Sequence, residues 1–351
     1  MKKLLDISSL LLFLLLLLVG CSSQKNSVKE FSLSEIVNLT LDEEASMVTD
    51  AILVKERIYF ISTVEKLLII LDLKGNIVKS YNETGSGPGE FSMPTTLYHN
   101  IEKEAIGVLD SANLKISYFG YNGDYIEDVK IDDLTHFPIR IQMLPNYKLE
   151  QYMNINTSGE GPMMTMNDDF VKGEKRISLG SYEFNPLSQN FSSGQHLSSA
   201  CYPNSFFTYR MQTTEYEFKM YTSDGVLHRT IQKDYTKVAQ PQEMVQEIED
   251  QLETAKNMAK QYGQDLSIDP DGYRYKQAIN KILLDEQNRT WVLTQNSEAS
   301  FFDLYDEAGR LVGKCPAVTE DFTFSFFKGS KIYSLSVNEE DEILFKQFEE
   351  K

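Results

Sequence analysis

The fold of this chain is decided by the stretch Leu68-Ile69-Ile70-Leu71-Asp72-Leu73-Lys74-Gly75, an apolar strand that runs into a glycine turn. A second strand follows at once with Ile77 and Val78. The same pattern returns at Ile116–Gly123, Phe218–Gly225 and Phe302–Gly309. Tight hairpins place a residue at positive φ, which glycine adopts without strain. The sequence therefore predicts a series of antiparallel hairpins.

The spacing of these turns predicts how the hairpins assemble. Gly75 and Gly123 are 48 residues apart, and Gly123 and Gly225 are 102 apart, with a weaker turn at Gly173 between them. The next interval is 84 residues, which falls to 47 if the 37 residues 234–270 are an insertion. A repeat near 50 residues is typical of a four-stranded propeller blade. We therefore predict an all-β fold: a six-bladed β-propeller of four-stranded antiparallel blades, with one amphipathic helical insertion at about 234–270.

The ring is expected to close with a strand from the amino end. The last repeat supplies only three strands, Phe322–Phe327, Lys331–Val337 and Glu342–Phe348. The missing fourth is predicted at Leu33–Thr40, which hides strand edges that would otherwise aggregate. We expect Leu33, Ile36 and Leu39 to lie near Leu344 and Phe348.

One linker carries a family resemblance. The string Gly85-Ser86-Gly87-Pro88-Gly89-Glu90-Phe91-Ser92-Met93-Pro94 resembles the inter-blade linker of NHL-type repeats, and Leu109–Ile116 resembles the element that follows it. The whole chain resembles the six-bladed propeller lipoproteins of Bacteroidota. The resemblance implies a fold and a location, and it transfers no catalytic residue. We expect structural roles: Phe91 fills a gap between blades, while Asp110 and Asn113 shape a turn.

The amino terminus predicts export. Two lysines precede the apolar run Leu10–Val19, which ends directly before Gly20 and Cys21, as in a bacterial lipobox. We interpret 1–20 as a signal peptide, 21–30 as a lipidated tether and 31–351 as the propeller, with the lipid on Cys21. An ordinary signal peptide and a membrane-spanning anchor are the alternatives. No acidic residue follows Cys21 directly, which favours the periplasmic face of the outer membrane.

Charge and cysteine content exclude some functions. The net charge is −18, so phosphate backbones repel the chain and a nucleic-acid partner is not expected. The four histidines are scattered and no zinc spacing occurs, so we predict neither a metal site nor a cofactor. Cys201 and Cys315 are left open as two buried thiols or a disulfide.

The insertion predicts which face of the propeller binds a ligand. Apolar residues from Met244 to Tyr262 follow helical spacing, and Pro241 suits the first turn, so Pro241–Tyr262 is predicted to be one helix. Its apolar stripe packs either on the propeller or on a partner. Long connections share its face and suggest a binding surface at the channel mouth. Tentative ligand-binding residues there are His136, Arg140, His196, Tyr202, Tyr273 and Arg274.

Two classes of function remain open. The first is an envelope-anchored binding or scaffolding module for a protein, peptide or glycan ligand. The alternative is a metal-dependent propeller enzyme, a lactonase-like hydrolase or a lyase, with oxygen ligands such as Asp50, Asp110, Asn204 and Asp285. No nucleophile–base pattern supports catalysis. Three or more carboxylate or amide oxygens converging in the central channel would favour the enzyme.

Overall fold

A computed structural model describes residues 28–41, 45–132, 136–144, 146–156, 163–184, 206–209, 214–261, 271–318, 322 and 324–351. The amino-terminal strands are β1 (Lys29–Glu30) and β2 (Leu33–Thr40). The first blade holds β3 (Asp50–Val54), β4 (Arg57–Ser62), β5 (Leu67–Asp72) and β6 (Ile77–Tyr81), and the second β7 (Pro94–Asn100), β8 (Ala105–Asp110), β9 (Lys115–Gly120) and β10 (Tyr125–Lys130). The third holds β11 (Phe137–Leu144), β12 (Tyr147–Asn156), β13 (Met163–Lys172) and β14 (Lys175–Phe184).

The second half of the chain repeats this plan. Blade 4 holds β15 (Phe206–Tyr209), β16 (Glu217–Thr222) and β17 (Leu227–Gln232) in the described residues. Blade 5 holds β18 (Ile279–Leu284), β19 (Thr290–Gln295), β20 (Ser300–Tyr305) and β21 (Leu311–Pro316), and blade 6 holds β22 (Phe324–Lys328), β23 (Lys331–Val337) and β24 (Ile343–Glu350). All pairs within these sheets are antiparallel except β1 with β21. The predicted propeller is confirmed, with six sheets of which one has three described strands.

The continuous apolar runs exist because each blade is covered on both faces. Along β4 and β5, Tyr59 and Ile70 pack with blade 2, whereas Phe60 and Ile69 pack with blade 6. Successive side chains of a strand point to opposite faces, so both sets must be apolar. The glycines predicted to form hairpins have positive φ, for example 85° at Gly75 and 72° at Gly225.

The amino-terminal strand completes the ring as predicted. β2 pairs antiparallel with β24, and Leu33 lies in one apolar cluster with Phe348. Ile36 and Leu39 do not pack into this core: each side chain is 43% exposed, although Leu39 lies opposite Phe345 in the register. The register shifts between Glu35 and Val37, so Val37 takes the core-facing position instead.

The insertion is helical, as predicted. It contains α1 (Gln242–Gln261) and the short α2 (Asp271–Arg274). Its two ends are joined by an isolated antiparallel bridge between Ala239 and Tyr275. Gln240 donates to the Arg274 carbonyl at 2.9 Å, and Lys276 donates to the Val238 carbonyl at 2.8 Å. We call 238–240 with 274–276 the stalk. No helix in the described part of the chain is long and apolar enough to cross a membrane.

Chain direction divides the ring into two faces. In each blade with four described strands, the first strand starts and the fourth strand ends on the same side of the ring. The loop between the two middle strands lies on that side too. We call this side the connection face; it carries the stalk and 82–93. The opposite side, the turn face, carries the hairpins that join the first strand to the second and the third to the fourth, including those at Gly75, Gly123, Gly225 and Gly309.

Candidate functional site on the connection face

The linker 85–94 on this face is held by hydrogen bonds and by burial of one ring. Asp110 is fully buried, and its carboxylate accepts hydrogen bonds from the backbone amides of Ser92 at 2.8 Å and Met93 at 3.0 Å. Asn113 donates to the Gly85 carbonyl at 2.8 Å. Phe91 is fully buried among side chains of blades 1 and 2. These residues therefore have the structural roles that the sequence predicts.

A polar clasp joins the inner strands of blades 1 to 3. Asp50, at the start of β3, accepts a hydrogen bond from the Leu97 amide at 2.8 Å. Arg140 from β11 approaches the other carboxylate oxygen of Asp50 to 3.5 Å. Thr96 donates to the Ile139 carbonyl at 2.7 Å. Arg140 keeps 43% of its side-chain surface exposed, so it is held by Asp50 and still open to solvent.

His136 belongs to a second charged group, in blade 3. Its Nε2 lies 3.3 Å from the buried carboxylate of Glu150, and its ring stacks on Tyr152 with 3.8 Å between centroids. Glu150 also pairs with Lys148 at 3.1 Å and with Arg176 at 3.2 Å. Burial alone would raise the pKa of Glu150, but Lys148 and His136 outweigh it and hold that pKa below its ordinary value.

The space between blades 2 and 3 is too small for a substrate. A cavity of about 10 Å³ lies there, and Ile116, Pro138, Arg140 and Ile141 line it with four neighbours. A single water needs roughly 10–15 Å³ of such volume. The cavity therefore holds at most one water, and any ligand of Arg140 or His136 would have to bind on the outside.

The helical insertion forms the other candidate surface. Glu249 of α1 accepts from Arg274 at 2.7 Å and from Tyr273 at 3.3 Å, which ties α1 to α2. Arg274 holds the pKa of Glu249 below its ordinary value. The two predicted residues Tyr273 and Arg274 thus bind within the insertion, whereas His136 and Arg140 bind carboxylates of blades 3 and 1.

The helix is more exposed than a helix that packs on a blade. Among the α1 residues whose burial is described, only Leu252 is buried, at 6% exposed, and Met244 is 47% exposed. The acidic residues Glu243, Glu247 and Asp250 lie with Gln242 and Gln246 on one exposed side of α1. Residues spaced three or four apart share a helix face, so these acids form one row.

Other predicted site residues fall elsewhere. His196 and Tyr202 lie outside the described residues, as do Asn204 and Cys201. Cys315 is buried as a free thiol. The sequence analysis did not identify Glu150. A charged residue in the middle of a predicted strand could have indicated it, because a buried carboxylate needs a cationic or hydrogen-bonding partner.

The proposed metal ligands do not converge in the part of the chain that the structure describes. Asp50 and Asp110 make the contacts above, and Asp285 accepts from Trp291 Nε1 at 2.9 Å and from the Arg289 amide at 2.8 Å. Within the described residues, no group of three or more histidine, cysteine, aspartate or glutamate side chains could hold a metal ion. Each of these three carboxylates has a structural partner.

Comparison with known proteins agrees with this fold. The model of the six-bladed β-propeller family DUF5128 matches residues 27–263. The chain belongs to this family. No functionally curated protein matches the sequence.

Similar solved structures extend the fold assignment. A member of the DUF4221 family from Bacteroides vulgatus is 12% identical with a TM-score of 0.53, over 92% of this chain and 99% of that one. A putative exported protein from Bacteroides fragilis is 12% identical with a TM-score of 0.48, over 93% and 100%. The structure of U3-55K is 8% identical with a TM-score of 0.51, over 90% and 98%. At such identities the likeness concerns the fold alone.

Proposed function

We propose that this chain is an envelope lipoprotein, anchored by a lipid on Cys21, whose propeller binds a polypeptide through α1 on the connection face. The observation that carries the binding role is the exposure of α1: it stands on the stalk with Met244 open and the row Glu243, Glu247 and Asp250 facing outward. The anchor rests on the lipobox-like run before Cys21.

The chemistry of the row suggests the kind of partner. An exposed apolar side chain on an amphipathic helix, here Met244, is typical of an interaction surface. Carboxylates on neighbouring turns attract lysine and arginine, and they repel phosphate and other anions. We therefore expect a polypeptide that presents basic side chains beside an apolar one. Asp50, Asp110 and Asp285 already have structural partners, so these carboxylates do not favour the metal-dependent enzyme.

A crosslinking experiment tests the binding role. A photoreactive amino acid replaces Met244 on α1 or Glu307 on the turn face, and cells expressing either full-length protein are irradiated. We expect one discrete envelope polypeptide to crosslink from position 244 and not from 307. The triple substitution Glu243→Lys, Glu247→Lys and Asp250→Lys should abolish the crosslink. Glu298→Lys, which changes an exposed acid in the loop between β19 and β20 outside α1, is the control and should retain it. A crosslink that survives the triple substitution would contradict the proposal.

The stalk allows a clean deletion. Since Gln240 and Arg274 are hydrogen-bonded, an Asn-Gly turn can replace residues 241–273 without moving the ends. The circular dichroism of the variant should remain rich in strand while the crosslinking partner is lost. For the anchor, Cys21→Ala should abolish fatty-acid labelling and move the protein to the soluble fraction.

A further inference from the structure

The chain enters the propeller through a strap across two blades. β1 pairs in parallel with β21, with Lys29 opposite Gly313 and Glu30 opposite Lys314. The Phe31 amide then donates to the Lys314 carbonyl at 2.8 Å, and β2 continues in blade 6.

Gly313 leaves room for this strap. A Cβ atom at Gly313 would lie 2.2 Å from the Phe31 ring, which is a steric clash. Glycine has no Cβ atom and therefore fits beside this ring. The Arg289 guanidinium lies 5.6 Å from the centroid of the same ring. The entry point of the chain is therefore fixed on the outer edge of blade 5.

Strand direction tells from which side the chain arrives. β21 begins at Leu311, just after the turn at Gly309, and ends at Pro316 beside the connection 317–323. It thus runs from the turn face to the connection face. Because β1 is parallel to β21, the residues before Lys29 arrive from the turn face. The stalk and α1 lie on the opposite face.

The remaining tether is about as long as the propeller is high. Seven residue steps separate Cys21 from Val28, and a fully extended chain spans at most about 25 Å over that length. A six-residue strand is about 20 Å long. The length of the tether therefore keeps blade 5 near the bilayer, and the direction of β1 favours the turn face as the nearer side.

Charge disfavours the inverted arrangement. The connection face carries the unbroken acidic run Glu339–Glu342 in the loop between β23 and β24, in addition to the acidic row of α1. On the turn face, by contrast, the two signs are mixed: Lys172 pairs with Asp224 at 2.5 Å and Lys328 with Glu56 at 3.2 Å. Anionic headgroups therefore repel the connection face more strongly than the turn face.

We propose that the turn face lies against the membrane and the connection face points away from it, with the phospholipid bilayer that holds the Cys21 lipid as the partner of the turn face. This inference rests on the lipid anchor of the proposed function. It places α1 about one propeller height from the headgroups, free to meet a partner that is not in the same leaflet.

Two matched cysteine variants test the orientation. Glu298 and Glu307 are both exposed glutamates of blade 5, on the connection face and the turn face respectively. Each is changed to cysteine in the full lipidated chain carrying Cys201→Ser, and the thiol is labelled with an environment-sensitive fluorophore. The proteins are placed in vesicles of neutral and anionic phospholipid that contain a headgroup-linked quencher. We expect several-fold stronger quenching at position 307 than at 298.

Equal quenching at both positions, or stronger quenching at 298, would overturn the orientation even if the protein is membrane-bound. The same variants with Cys21→Ala should show no quenching at either position. If the chain with Cys21 intact incorporates no fatty acid and behaves like Cys21→Ala, the anchor itself is wrong and the orientation falls with it. Fatty-acid labelling therefore separates the two failures.

Discussion

Two interfaces between neighbouring blades are built from different side chains. The interface between blades 5 and 6 is apolar, whereas the interface between blades 2 and 3 also contains charged groups. Blades 5 and 6 share an apolar cluster that includes Trp291, Phe302, Phe322 and Phe348, with rings in edge or tilted contact. Blades 2 and 3 share a small cluster around Tyr98 and Tyr118. Next to that cluster, in blade 3, Glu150 and Asp169 are buried and paired with Arg176.

The difference teaches that a propeller ring can combine two kinds of contact. Apolar burial is insensitive to pH and loses much stability when atoms are removed. A buried carboxylate stabilises only while its cationic partners are present and it stays ionised. Arg176 and Lys148 are 43% and 31% exposed, so solvent screens part of their attraction for Glu150. The polar interface should therefore respond to pH, and the apolar interface to truncation.

The largest expected contrast is in thiol reactivity inside the apolar interface. Burial, and then the charge of Glu350, raise the pKa of Cys315 from 9.0 to about 12. Three units leave about a thousand-fold less thiolate at a given pH, and the thiolate is the reactive form. In a Cys201→Ser background, Cys315 should resist iodoacetamide at pH 8 and react fully in urea, as mass spectrometry would report. Rapid alkylation of the native protein would show that this interface opens.

Truncation of the apolar interface should have the largest effect on stability. Phe302 is fully buried, and Phe302→Ala should lower the free energy of unfolding by about 3–5 kcal/mol through lost burial and a cavity. Its neighbour Phe301 is only half-buried, so Phe301→Ala is a matched control with a smaller loss. Urea denaturation measures both. Equal losses would contradict the assignment of this interface as the main support of the ring.

Removal of the buried acid in blade 3 should cost less. Glu150→Ala leaves Arg176, Lys148 and His136 without their shared partner. The loss should be about 1–3 kcal/mol, because those partners reach solvent. Glu150→Gln keeps the size and shape of the side chain, so it should lower the free energy of unfolding by less than Glu150→Ala. The exposed Glu253→Ala serves as the control and should be neutral. A neutral Glu150→Ala would mean that the polar network adds nothing to folding.

The smallest expected effect is the contribution of Glu150 to the pH dependence of the free energy of unfolding. The pKa of Glu150 in the folded chain is below the ordinary 4.5, so the unfolded state binds more protons in this range. Its contribution is present above pH 4.5 and is lost as the pH falls through the folded pKa. Urea denaturation between pH 7 and 3.5 should show the wild type losing more stability than Glu150→Gln. Parallel curves would place the pH sensitivity in other carboxylates.

Local patterns in the sequence determined most of the fold. Glycines at Gly75, Gly123, Gly225 and Gly309 mark hairpins because positive φ is a property of one residue. The 3.6-residue spacing in α1 and the missing fourth strand of blade 6 are likewise visible along the chain. These features depend on neighbours within a few residues, or on counting repeats.

Only the tertiary structure decided which charges meet and which faces are open. Asp50 and Arg140 are 90 positions apart, and His136, just before β11, meets Glu150 of the neighbouring strand β12. The parallel pairing of β1 with β21 and the shift at Ile36 likewise depend on how strands from distant parts of the chain align. Ion pairs, register and burial depend on the relative placement of whole blades. The relative placement of the blades results from many weak contacts between residues that are distant in sequence. Local sequence patterns do not predict these contacts.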